Sequence, residues 1–166
     1  RFIYGLFFLF FWGVVGQKMW KDFSFSPQGV VEVPHAHSQH LDGKGVAVAV
    51  LDEGFDPSHA SLKNQFSSNR YNTNNKTRDV SEPLVFENGS YIFESHGTHV
   101  SGIISNLAPG AEIIPIKLGN FGGDQIFVKA LQLAASSSAH IINISMRLSH
   151  TGREISPNVQ QALIQL

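Results

Sequence analysis

The stretch from Val46 to Leu51 constrains the fold of this chain more than any other, because its six residues are all valine, alanine or leucine. Such a run is too short for a helix, and its valine content is typical of a β-strand. A strand that is apolar at every position is covered on both faces, as the strands of parallel sheets are. The run therefore predicts a buried strand in a parallel sheet.

Further strand and helix patterns alternate after this run. Two short β-branched runs predict strands, 113–118 and 141–145, although Pro115 weakens the first because proline removes a ladder donor. Three stretches have helical spacing or a helix start signal: 96–107, 126–135 and 157–166. This order predicts an α/β fold of three layers, in which a mainly parallel sheet is flanked by helices.

The region between the first strand and the helix after His96 has weaker signals. Residues 67–81 are mostly polar without periodicity, which predicts a surface loop. Asn88-Gly89 lies between the short apolar segments 85–86 and 91–93, and this dipeptide is the strongest short signal for a β-hairpin.

Composition excludes several classes of protein. The chain has 12 Lys and Arg against 13 Asp and Glu, with a net charge of -1, so it lacks the basic patch of a nucleic-acid-binding protein. The absence of cysteine from the sequence excludes a disulfide framework and a thiolate metal site. It does not indicate a cellular compartment, because disulfides are permitted but not required outside the cell.

The N-terminal segment is uncharged and apolar from Phe2 to Gly16, behind Arg1. This length fits a signal peptide, whereas a membrane-spanning helix needs about 20 apolar residues. We therefore expect a signal peptide over residues 1–16, a secreted or periplasmic protein, and no stable membrane insertion after cleavage. An uncleaved anchor and a buried core helix are the alternatives.

Residues 17–43 are expected to form a polar lead-in segment that ends in a turn at Asp42-Gly43. Residues 44–166 then form one domain. His35, His37 and His40 lack cysteine or carboxylate partners at metal-binding spacing, so we interpret them as solvated residues and predict no metal site.

The predicted order of strands and helices indicates two residues suited to catalysis. Asp52 ends the first strand and His96 begins a helix, and reactive groups of such sheets gather at the carboxyl ends of the strands. A carboxylate that accepts a hydrogen bond from one imidazole nitrogen leaves the other nitrogen free to take a proton. Taken alone, an aspartate after a strand more often caps a helix or holds a turn.

The segments Asp52-Glu53-Gly54, 95–102 and 141–145 together resemble the subtilisin-like serine proteases, in which the aspartate precedes the histidine. The resemblance implies a serine endopeptidase without a cofactor that acts on a peptide or protein substrate. It implies that Asp52 and His96 are catalytic, and that His99, three residues further along, is not the base. The family's calcium loop after the histidine is missing, so calcium is not expected.

The resemblance also implies where a substrate lies. In this family an extended peptide is held as an added strand between two backbone edges, which correspond here to Gly122 and Gly123 and to Ser145 and Met146. Two residues depart from the family pattern: Arg147 stands where glycine is usual, and Glu53, expected to face solvent, stands where threonine or serine is usual.

The family's nucleophile segment, Gly-Thr-Ser-Met-Ala, does not occur before Leu166. The resemblance therefore implies the N-terminal part of a catalytic domain that is truncated at its C-terminus, with a missing C-terminal half as its partner and no activity alone. The alternative is a non-catalytic pseudoprotease or peptide-binding module, which the two departures favour. An unrelated α/β ligand-binding domain would need another polar cluster at the strand ends, and none is visible.

Overall fold

The computed structural model describes residues 33–82, 85–87, 90–92, 96–118, 123–146 and 155–166. The helices in this part of the chain are α1 (Val33–Ser38), α2 (His96–Leu107), α3 (Gly123–Ser136) and α4 (Pro157–Ile164). The strands are β1 (Ala47–Asp52), β2 (Tyr71–Asn72), β3 (Val85–Glu87), β4 (Ser90–Ile92), β5 (Glu112–Lys117) and β6 (Ile141–Ile144).

Four of the strands form a parallel sheet in the order β2-β5-β1-β6. The pairing of β1 with β5 runs from Ala47 opposite Glu112 to Asp52 opposite Lys117. Strands β3 and β4 form a separate antiparallel pair on either side of Asn88-Gly89. Their pairing confirms the predicted hairpin, and the parallel sheet confirms the predicted α/β fold.

The two faces of β1 pack against different helices, which gives the predicted three layers. Ala47, Ala49 and Leu51 belong to a core cluster that includes residues of α3 and α4. Val48 and Val50 belong to a second cluster that includes Val100 of α2. Since successive side chains of a strand point to opposite faces, Asp52 points to the α2 side, two residues after Val50.

Pro115 lies within β5 without disturbing the sheet. Alternate residues of a parallel strand bond to opposite neighbours: Glu112 donates its N–H to Val46, whereas Ile113 donates to Gln65 on the other side. Pro115 shares the side of Ile113, where β2 pairs with β5 only at Ile116 and Lys117. The nitrogen of Pro115 thus faces away from β1, and the missing donor costs no bond to the central strand.

Two of the described elements were not predicted. β2 lies inside the predicted loop 67–81, and a strand of two residues is too short to leave an alternating pattern. α1 lies inside the lead-in segment, where six residues are likewise too few for a helical period. Nε2 of His37 on α1 lies 3.1 Å from the carbonyl oxygen of Leu107, so the lead-in contacts the end of α2.

The C-terminus of α2 is held by the side chain of Gln65. Its amide nitrogen lies 2.7 Å from the carbonyl oxygen of Pro109, 3.3 Å from that of Ala111 and 3.4 Å from that of Ala108. Its amide oxygen accepts a hydrogen bond from Ser105. One side chain thereby links the last turn of α2 to the turn that follows it.

Replacing Gln65 with alanine is expected to lower the free energy of unfolding by about 1 kcal/mol, the net contribution of a typical hydrogen bond, because its contacts are partly exposed. Urea denaturation of the protein produced from its complete coding sequence measures the change. The control is Gln132→Ala on the exposed face of α3, which should stay within about 0.5 kcal/mol of the wild type. Equal effects of the two substitutions would contradict the role of Gln65.

Strand β6 lies at one edge of the described four-stranded sheet. Ile141 and Ile144 of this strand are only half-buried, and an apolar strand edge is prone to pair with other chains. We therefore expect a piece comprising residues 17–166 to self-associate when it is produced alone. Size-exclusion chromatography measures this, and a compact monomer with a cooperative thermal transition would contradict the prediction.

Candidate active site

Asp52 is completely buried at the carboxyl end of β1, with an exposed fraction of 0%. Its Oδ1 atom accepts a hydrogen bond of 2.8 Å from the backbone N–H of Glu53. The side chain is therefore held by the backbone of the turn that follows β1 and by packing on the side of the sheet that faces α2. A buried carboxylate held in this way is available to orient a second group.

His96 is the first residue of α2, and the start of this helix lies directly on the turn that follows β1. A Cβ atom at Gly97 would overlap the carbonyl oxygen of Gly54 and would lie 2.8 Å from the ring of Phe55 and 3.0 Å from Cβ of Asp52. Glycine at position 97 therefore allows the close approach that brings His96 to Asp52.

The structure brings the side chains of Asp52 and His96 together. Nδ1 of His96 lies 2.9 Å from Oδ2 and 3.0 Å from Oδ1 of Asp52. The carboxylate is an acceptor, so Nδ1 carries the proton that it donates. The imidazole side chain is 51% exposed, and no group in the described part of the chain hydrogen-bonds to its Nε2.

The pKa of His96 is raised above its ordinary value of 6.5. The hydrogen bond to Asp52 is the largest cause, because it favours the charged imidazole. Partial burial of the ring opposes this effect, and the negative charges of Asp52, Glu53 and Glu82 add to it. Imidazolium, the form that His96 takes when it accepts a proton, is therefore stabilised.

Two titratable neighbours of this pair are exposed. Glu53 is exposed, in agreement with the solvent-facing interpretation, and it acts on His96 through its charge. His99 is also exposed, one turn further along α2, and it makes no contact with Asp52 in the described structure.

The residues predicted to bind substrate follow the strands on either side of β1. Ser145 and Met146 come directly after β6 and are half-buried, and the side-chain nitrogen of Asn143 donates a 3.0 Å hydrogen bond to the hydroxyl of Ser145. Gly123 begins α3 with a φ of 71°. Gly122 and Arg147 lie outside the described residues.

Three residues near the pair, Thr98, Glu82 and Lys117, were not predicted from the sequence. The hydroxyl of Thr98 accepts a 2.7 Å hydrogen bond from the N–H of Asp56. The ammonium group of Lys117 lies 2.5 Å from the carbonyl oxygen of Ser81, next to Glu82. Thr98 could have been found because it lies in the histidine segment, but nothing in the sequence around Glu82 or Lys117 indicates the site.

Metal ligands and membrane-spanning helices were both searched for in the described residues. No group of three or more His, Cys, Asp or Glu side chains in that part of the chain could hold a metal ion. None of the helices found there has the length and apolar character needed to cross a membrane.

Comparison with known proteins shows a family and several relatives. The model of the subtilase family matches residues 43–165. An intracellular serine protease of Paenibacillus polymyxa is 30% identical over 151 residues, which cover 82% of this chain and 43% of that protein. Subtilisin E of Bacillus subtilis (strain 168) is 31% identical over 134 residues, covering 72% of this chain and 32% of that protein.

A solved structure, the crystal structure of a lanthipeptide protease, is similar with a TM-score of 0.60 and 27% identity, covering 77% of this chain and 38% of that chain. The chain spans less than half the length of the curated relatives described above. Since the family model matches most of its residues, the chain belongs to the subtilase family.

Proposed function

We propose that this protein is a serine-type endopeptidase of the subtilisin type, in which Asp52 orients His96 and His96 is the general base. The observation that carries the proposal is the double contact of Nδ1 with both carboxylate oxygens, at 2.9 and 3.0 Å. Membership in the subtilase family supports the same reaction class.

The chemistry of the pair would be that of a catalytic triad. Nε2 of His96 takes the proton of the serine hydroxyl as this attacks the peptide carbonyl, and later gives it to the leaving amine. Asp52 holds the ring in the tautomer with the proton on Nδ1 and stabilises the imidazolium. The exposed ring of His96 leaves Nε2 accessible to a partner group.

The nucleophile and the side-chain donor of the oxyanion hole are proposed to come from sequence that follows Leu166, in the C-terminal half of the catalytic domain. This proposal is supported by the share of its relatives that the chain covers, 43% for the protease of Paenibacillus polymyxa. Residues 1–166 would then be inactive by themselves.

The substrate is proposed to be a peptide or protein whose backbone lies between the segments 122–123 and 145–146. Support comes from sheet order, because β1 lies between β5 and β6 and the two segments follow these strands. A peptide between them would pass the carboxyl end of β1, where Asp52 and His96 meet.

The protein is proposed to be exported by a signal peptide over residues 1–16, followed by a lead-in segment over 17–43 and the peptidase domain from residue 44. The apolar run behind Arg1 supports export. One of the relatives is named an intracellular protease, so the proposed location rests on this run alone.

Peptide hydrolysis by the protein produced from its complete coding sequence tests the proposed function. A library of fluorogenic peptides should give turnover that a serine-directed inhibitor abolishes. Binding of the same peptides without any hydrolysis would contradict the proposal and would favour the non-catalytic peptide-binding alternative.

A further inference from the structure

The carboxylate of Glu82 packs against the turn that follows Asp52. A Cβ atom built on Gly54 would overlap Oε2 of Glu82 and would lie 2.8 Å from its Cδ and 3.0 Å from its Cβ. Oε2 of Glu82 is inaccessible to solvent. An acidic side chain therefore occupies the space beside Gly54 that any larger residue at that position would need.

The segment that carries Glu82 is held by several independent contacts. The N–H of Phe55 donates to the carbonyl of Val80 at 3.0 Å, and the N–H of Glu82 donates to the carbonyl of Phe55 at 3.2 Å. Val80 is completely buried, and Lys117 binds the carbonyl of Ser81. These contacts fix the backbone from which the Glu82 side chain extends.

Gly54 also contacts the start of α2, so that one glycine touches both sides of the site. Its carbonyl oxygen would overlap a Cβ atom built on Gly97, and its own Cα is covered by Glu82. Gly54 comes two residues after Asp52, and Gly97 comes one residue after His96. A displacement of Glu82 would therefore be transmitted through Gly54 to both members of the pair.

We propose that Glu82 is a positioning residue for the Asp52–His96 pair, acting through its packing on Gly54 and through its negative charge. This inference rests on the proposed function, because positioning matters for catalysis only if His96 is the general base.

The charges around His96 support the electrostatic part of the inference. Three carboxylates act on it: Asp52 at the end of β1, Glu53 in the following turn and Glu82 in the adjoining segment. After the hydrogen bond to Asp52, the charges of all three carboxylates raise the pKa of His96. On its own helix the titratable neighbour is His99, and beside Glu82 the ammonium of Lys117 binds Ser81.

The test compares the protein produced from its complete coding sequence with two variants, Glu82→Gln and Gly54→Ala. The first keeps the size of the side chain and removes its charge, and the second displaces the carboxylate. The imidazole signals of His96 are titrated by NMR, and both variants are expected to lower its pKa. Glu112→Gln, an exposed residue at the opposite end of β5, serves as the control and should leave the pKa unchanged.

A His96 titration in Glu82→Gln that matches the wild type would overturn the inference, whatever happens to thermal stability. If Glu82→Gln failed to fold, Gly54→Ala would decide by the same criterion. In the active protein, the acidic limb of kcat/KM should move to lower pH in step with the NMR titration. A wild type without peptide hydrolysis would refute the proposed function, whereas the NMR result would still decide whether Glu82 acts on His96.

Discussion

Replacing His96 with alanine is expected to reduce kcat for peptide hydrolysis by about a million-fold. In subtilisin, loss of the catalytic histidine lowers kcat by a factor of about 2 × 10⁶. The physical reason is that, among the described side chains, no second base hydrogen-bonds to Asp52 in the place of His96, so none is positioned to take the serine proton. Initial rates with a fluorogenic peptide, measured on the protein from its complete coding sequence, give the ratio.

His99→Ala is the matched control for this substitution, because it removes an imidazole from the same helix. His99 is exposed, so the variant should keep its rate within about twofold, as expected for a surface change of about 0.5 kcal/mol or less. A large loss of rate in His99→Ala together with a small loss in His96→Ala would contradict the assignment of His96 as the general base.

Replacing Asp52 with asparagine is expected to reduce kcat by about four orders of magnitude, as loss of the carboxylate does in serine proteases of known mechanism. Asparagine keeps the shape of the buried side chain, but its amide can donate to Nδ1 and favour the wrong tautomer. The pKa of His96 should also fall, because the substitution removes the hydrogen bond to the Asp52 carboxylate, which is the largest cause of the raised pKa.

The direction of the accompanying pH effect follows from which form of His96 reacts. A general base must be neutral, so activity rises as pH increases through the raised pKa of His96. In Asp52→Asn this rising limb should move to lower pH. Asp124→Asn, in the exposed first turn of α3, is the control. A loss of less than about tenfold in Asp52→Asn, or an unmoved pH limb, would contradict the role of Asp52.

The core of the fold could be predicted because its signals are local. The run that became β1 is apolar at every position, and the helix after His96 begins where the histidine segment begins. The two elements that were not predicted, β2 and α1, lack such a local signal. β2 has two residues and α1 has six, and neither length carries a period, so their existence depends on pairing with β5 and on contact with α2.

The closeness of Asp52 and His96 could be anticipated for a similar reason. The sequence places Asp52 at the end of a strand and His96 at the start of a helix, two positions that converge in the fold that the resemblance implies. Glu82 could not be anticipated, because its position depends on bonds from Phe55 and Lys117, which are distant in sequence. Pro115 weakened the prediction of β5, which the structure confirms, because the sequence does not show which neighbour each N–H faces.

Labelling with a fluorophosphonate probe tests the central claim most directly, since this reagent reacts covalently with a serine that an adjacent base activates. The protein produced from its complete coding sequence should be labelled at one serine, located by mass spectrometry beyond Leu166, and His96→Ala should abolish the labelling. Labelling that persists in His96→Ala, or that maps to a serine within residues 33–166, would contradict the proposal that Asp52 and His96 serve a subtilisin-type nucleophile.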